Sequence, residues 1–105
     1  MAGDLEANPL RGEALLALEG RQLRLRPSFG ALVAAEAELG PLFALCERAA
    51  AGQLTLAEMV GLLWHCLDGD PGMDRSQFAD AVVAGGLAQA SPALRVLLGQ
   101  ILAGR

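Results

Sequence analysis

Few side chains in this 105-residue sequence have chemistry to offer. His65 is its one histidine, and Cys66 follows it directly. A thiol beside an imidazole is the first arrangement to weigh, because that pairing makes a nucleophile. Neighbouring residues on a helix, however, point about 100° apart and do not face each other. Cys66 falls toward the apolar stripe of its segment and His65 opposite it, so an exposed histidine beside a buried cysteine is expected. Cys46 and Cys66 form no CxxC, and a single histidine cannot complete a metal site with them. Both read as buried, reduced thiols.

The segment 68–79, DGDPGMDRSQFA, superficially suggests a calcium loop, with Asp68, Asp70 and Asp74 at positions 1, 3 and 7. The sharp-turn glycine of position 6 would be Met73, and the bidentate glutamate of position 12 would be Ala79. One failure removes the backbone geometry and the other two ligand oxygens, so Asp74 is better explained as a helix N-cap. No GxSxG, P-loop, GxGxxG, HExxH or carboxylate-pair signature is present. The expectation is a non-enzymatic chain with no catalytic residues, no cofactor and no metal.

Two features point to protein contact instead. Arg21, Arg24 and Arg26 place three positive charges in an acidic chain. They read either as a docking edge for an acidic partner or as a solvated strand face that discourages edge-to-edge aggregation. Glu36 follows Phe29 by seven, Leu32 by four and Val33 by three, which puts it near the middle of an apolar helical stripe. A carboxylate there needs a partner if it is buried. It could pair with a hairpin arginine, cap a neighbouring helix, or mark where the stripe leaves the core for another protein. Leu62 and Trp64, and later Val96 and Leu102, widen the apolar surface of their helices beyond one face. They fit a helix packed on two sides, or a groove for another protein's helix.

The elements that must position these residues follow from the pattern. EALLALEGRQLRLR, residues 13–26, alternates as a β-hairpin. With Gly20-Arg21 as the turn, Leu18 pairs with Leu23 and Leu16 with Leu25, and Ala14, Leu16, Leu18, Leu23 and Leu25 share one face. Pro27 ends the second strand. Ser28 then caps a helix with the stripe Phe29, Leu32, Val33 and Leu39, stopped by Gly40. Pro41 opens a second helix carrying Leu42, Leu45, Cys46 and Ala49, ended by Gly52. Thr55 and Glu58 form a capping box for a third, with Leu56, Met59, Val60, Leu63 and Leu67, ending at Asp68-Gly69. Asp74 and Gln77 repeat that logic before Phe78, Ala81 and Val82, with Gly85-Gly86 as the stop. Ser91-Pro92 opens the last helix, with Leu94, Leu97, Leu98 and Ile101. The fold class is α+β, mostly α: an N-terminal β-hairpin packed on about five short helices. A two-stranded hairpin is marginal alone, so its leucine face must sit on helices.

Composition narrows the function classes. Apolar residues at 53% and charged residues at 19% exclude a disordered chain. Eight arginines and no lysine against twelve acids give a net charge of −4, which argues against nucleic acid as a partner. No apolar run reaches about eighteen residues, so no membrane span is expected. The start is acidic and lacks a signal-like apolar region, so a cytoplasmic protein is expected. Residues 1–12 read as a flexible N-terminal arm, and 13–105 as one domain.

The wording of the first forty residues resembles a known family. Asn8-Pro-Leu-Arg-Gly-Glu13, an apolar strand, Gly20, Leu23-Arg-Leu-Arg-Pro27, Ser28-Phe29-Gly30-Ala31-Leu32 and Glu36-x-x-Leu39-Gly40 are similar to the small phage-type protein of bacterial gene transfer agents and related prophages. Its members are labelled both tail tube protein and tail assembly chaperone. The resemblance extends over roughly residues 8–103. It implies a non-enzymatic role in tail morphogenesis, with the tape-measure protein, alone or with the tube subunit, as partner, scope for self-association, and a place in the cytoplasm or in a virion-like particle. It supplies no catalytic residues. The contact surface expected on this reading is the hairpin, with Arg24 and Arg26, and the helix containing Glu36.

Overall fold

The computed structural model describes residues 13–103. Two antiparallel strands, β1 (Ala14–Leu18) and β2 (Arg21–Leu25), lead into α1 (Phe29–Leu39), α2 (Leu42–Ala50), α3 (Leu56–His65), α4 (Arg75–Gly85) and α5 (Leu87–Ala103). The chain is α+β and mostly α, as its pattern predicts. The proposed arm, residues 1–12, lies outside the described residues. Among those described, no single helix is long and apolar enough to cross a membrane.

The hairpin buries the expected face: Ala14, Leu16, Leu18, Leu23 and Leu25 are all in the core. Its register differs from the expected one by two residues. Leu16 faces Leu23, Ala14 faces Leu25 and Leu18 faces Arg21, so the turn is Glu19-Gly20. Both turn residues have positive φ, 50° and 75°, which is the mirror-image turn whose twist matches a hairpin. A two-residue slip keeps every side chain on its own face, so alternation alone could not detect the difference.

The outer edge of β2 is covered. The Arg26 amide donates to the Cys66 carbonyl at 2.7 Å, the Asp68 amide donates to the Arg24 carbonyl at 2.9 Å, and Leu25 bridges to Leu67. This pairing explains why α3 stops at His65 and not at Asp68-Gly69: residues 66–68 leave the helix to run along the strand. Antiparallel alternation then leaves the backbone groups of Leu15 and Ala17 pointing away from β2 on the β1 side. They have no hydrogen-bond partner among the described residues.

The helices close over the leucine face. Leu45, Leu62, Leu63, Phe78 and Leu97 are fully buried, and Trp64 lies against Phe78 with ring centroids 5.5 Å apart. Gly61 is buried where α1 crosses α3; a Cβ there would come within 3.1 Å of both the Leu39 side chain and the Arg75 guanidinium. Leu62 is fully buried and Trp64 half-buried, so α3 is the helix packed on two sides. The caps on Ser28, Thr55 and Asp74 are formed as expected, the last two as complete capping boxes.

Two further expectations fail. The last helix starts at Leu87 rather than at Ser91-Pro92, and Pro92 lies inside it. Proline removes one donor from the ladder there, but buried Ala90, Ala93 and Leu94 hold the segment to the core on both sides of it. In α1, the stripe expected to enter the core is partly outside: Phe29 is 85% and Val33 49% exposed, and the fully buried residue is Ala35. The buried line runs through Leu32, Ala35 and Leu39, roughly a quarter-turn from the line Phe29, Val33 and Glu36.

The turn yields a stability test. Asparagine tolerates positive φ better than glutamate does, and alanine tolerates it worse than glycine. Glu19→Asn should raise the thermal unfolding midpoint, and Gly20→Ala should cost about 1 kcal/mol. The opposite order of midpoints would place the turn elsewhere.

Candidate functional site

The hairpin arginines are tied to the loop between α3 and α4. Arg24 Nε lies 3.1 Å from Asp68 Oδ2, and Arg21 Nη2 donates to the Pro71 carbonyl at 2.5 Å. Each aspartate of the calcium-like loop therefore has a structural partner. Asp68 pairs with Arg24, Asp70 Oδ1 accepts from the Gly72 amide at 2.8 Å, and Asp74 Oδ1 accepts from the Gln77 amide at 2.8 Å. No group of three or more potential metal ligands converges among the described residues. Arg26 differs from its neighbours: its side chain is exposed and has no ion pair or hydrogen bond among the described residues.

Glu36 is exposed, and its Oε2 accepts from the Leu42 amide at 3.1 Å. Of the roles open to it, it thus caps a neighbouring helix. The residue before α2 is Pro41, which has no side-chain oxygen to do so. The same carboxylate sits on the exposed line of α1 with Phe29 and Val33. Phe43, one residue beyond the capped amide, is 67% exposed. Arg24, Arg26 and Glu36 are not brought together into one cluster by any described contact.

His65 and Cys66 do not form a pair. His65 is half-buried, not exposed, and its Nε2 lies 2.8 Å from Glu38 Oε1 on α1. Cys66 is buried, and desolvation pushes its thiol up to about 12, far from a reactive thiolate. Burial raises the Cys46 thiol as well.

Glu38 is the polar centre that the sequence does not advertise. Arg75 on α4 grips both its oxygens, Nη1 reaching Oε1 at 2.6 Å and Nη2 contacting Oε2, and His65 on α3 contacts it too. One carboxylate joins three helices. Its partners are 37 and 27 residues away, so no local spacing could have found them. The Arg75 hydrogen bonds first, and then His65, hold its pKa at about 2, below its ordinary 4.5. Glu58 is lowered for a similar reason, by its Thr55 backbone hydrogen bond and by Arg48 of α2. These groups link helices to one another: Glu38 joins α1 to α3 and α4, and Glu58 joins α3 to α2.

The chain's remaining distinctive surface is apolar. Phe29, Val33, Phe43, Leu56, Val83, Leu87, Val96 and Leu102 are all exposed, and every one lies on a helix. Such residues are unremarkable singly, and informative where they line up.

With this geometry in place, the comparisons with known proteins are specific. A family model described as phage tail tube protein, GTA-gp10, matches residues 11–104. No curated protein and no solved structure matches the chain. The family match covers nearly the whole sequence, and the chain belongs to this family.

The Glu38 cluster predicts a pH dependence. A carboxylate whose pKa falls on folding contributes stability above its unfolded value, and that contribution disappears as pH drops through the folded value. Here the window runs from 4.5 down to about 2. Glu38→Gln should lower stability at neutral pH and flatten part of the acid limb of unfolding across that window. An acid limb identical to the wild type's would show that the cluster carries no folding energy.

Proposed function

As a member of this tail tube family the chain acts in phage-type tail morphogenesis, and we propose that it does so as a tail assembly chaperone that holds the tape-measure protein until tube subunits replace it. What carries this reading is where the strand and the apolar surface lie. The described residues include two strands of five residues each, and the outer edge of one is already covered by residues 66–68. That is little sheet from which to build a tube wall. The large exposed apolar side chains lie on helices, where they suit a helical client.

In this reading Arg24 and Arg26 at the hairpin, and α1 around Glu36, face partner proteins: the tape measure and neighbouring copies. Arg24 also serves the fold through Asp68, and Glu36 through the α2 cap, so Arg26 is the cleanest probe of the hairpin surface. The chaperone works in the bacterial cytoplasm, where tails assemble, and takes no cofactor. A second reading is a structural tube or connector subunit. The family's own description favours it, and so does the β1 edge, where Leu15 and Ala17 could accept a strand from another subunit.

Retention separates the two. Tagged protein from assembling cells should bring down the tape-measure chain, while finished particles should lack this protein; many copies in the particle would establish the structural role instead. Arg26→Glu should weaken the tape-measure association several-fold, most at low salt, because an exposed contact charge acts over a screened distance. Unchanged association would remove the hairpin from the contact surface.

A further inference from the structure

Two surfaces of this chain complement each other. The first is the outward line of α1: Phe29, Val33 and Glu36 stand at i, i+4 and i+7, two apolar side chains followed by a carboxylate. The second is a groove between α2 and α5. Two hollows of about 250 and 230 Å³ share Ala49, Arg95 and Leu98 and so run into each other. Leu94 lines one end, and Cys46 and Leu102 the other. Small residues on both walls, Ala49 and Gly99 among them, let a helix approach closely. Arg95 is the one charged residue lining either hollow, and its side chain has no ion pair or hydrogen bond among the described residues. The lengths are compatible: α5 from Ser91 to Leu102 is about 18 Å long and the eleven residues of α1 about 16.5 Å.

We propose that the α2–α5 groove of one copy receives the α1 line of the next, with Phe29 and Val33 in the hollows and Glu36 beside Arg95. Glu36 gives one oxygen to the Leu42 amide, which leaves its charge and second oxygen for the neighbour. In a chain of net charge −4, contact between copies is opposed by self-repulsion unless a cation is placed at the interface, and Arg95 is so placed. The two surfaces are different patches of one chain, so the contact is head-to-tail. Each added copy leaves a groove at one end and an α1 line at the other, and the series extends or closes into a ring. This inference concerns self-association alone. It holds for a chaperone and for a retained subunit, and it is tested without the tape measure, so its failure is distinct from the failure of either reading.

The test uses two variants in analytical ultracentrifugation. Gly99→Trp fills the groove from an exposed helix position where an added Cβ meets nothing within 4 Å. Phe29→Asp removes the apolar head of the α1 line at a position 85% exposed, outside the core. Circular dichroism and melting confirm that each folds. Wild type at high concentration should form species beyond the monomer, and each variant alone should remain monomeric. A one-to-one mixture of the two should form a dimer and stop, because it contains one intact groove and one intact line. Arg95→Glu should weaken wild-type association by roughly tenfold. A monomeric wild type, variants that still assemble, or a mixture that stays monomeric would each overturn the proposal. So would a Gly99→Trp protein that self-associates normally but loses the tape measure, since the groove would then belong to the client.

Discussion

A two-stranded hairpin cannot stand by itself, and the rest of this structure follows from how that problem is solved. The leucine face of β1 and β2 is covered by helices, and the outer edge of β2 is covered by the chain itself as it leaves α3. The Cys66 and Leu67 amides still donate back to Leu62 and Trp64, but the Cys66 carbonyl and the Asp68 amide turn to strand-like hydrogen bonds with Arg26 and Arg24. That exchange sets the end of α3, fixes where the loop to α4 begins, and places Asp68 beside Arg24. It also uses up one of the two sheet edges. What the fold has left to offer other proteins is therefore mainly helical surface.

The second constraint is electrostatic. Glu38 draws α1, α3 and α4 together through Arg75 and His65, close to where Gly61 lets α1 approach α3. With α1 held by its Leu32, Ala35 and Leu39 side, the line of Phe29, Val33 and Glu36 faces outward. An apolar residue line that looks like core in the sequence is thus made available at the surface. Glu36 then has two tasks: it replaces the N-cap that Pro41 cannot provide, and it presents a negative charge.

Much of the fold was legible because it is written in short spacings. Ser28, Thr55 with Glu58, and Asp74 with Gln77 announce helix starts within three residues, and alternation assigns the hairpin's faces. The register was not legible, since both registers bury the same leucines and the choice rests on the backbone of Glu19-Gly20. Pro92 looked like a helix start, but tertiary packing extends α5 back to Leu87. The rotation of α1 and the partners of Glu38 depend on residues far away in sequence, so no window along the chain contains them. Of the expected contact residues, Arg24 and Glu36 acquired intramolecular partners from later elements, Asp68 and the Leu42 amide, while the Arg26 side chain has none among the described residues. The groove beside Arg95 exists only once α2 and α5 are set next to each other.

The proposed contacts with partner proteins lie on the helices and do not extend the sheet. Residue-resolved hydrogen exchange, with the purified chain compared against its complex with the tape-measure protein, tests this most directly. Helical contact should add protection in the helices, with the outward amides of Leu15 and Ala17 on β1 exchanging as fast in the complex as alone. Strong new protection of those two amides, with the helices unchanged, would mean that the client or another subunit adds a strand to β1, and would contradict it.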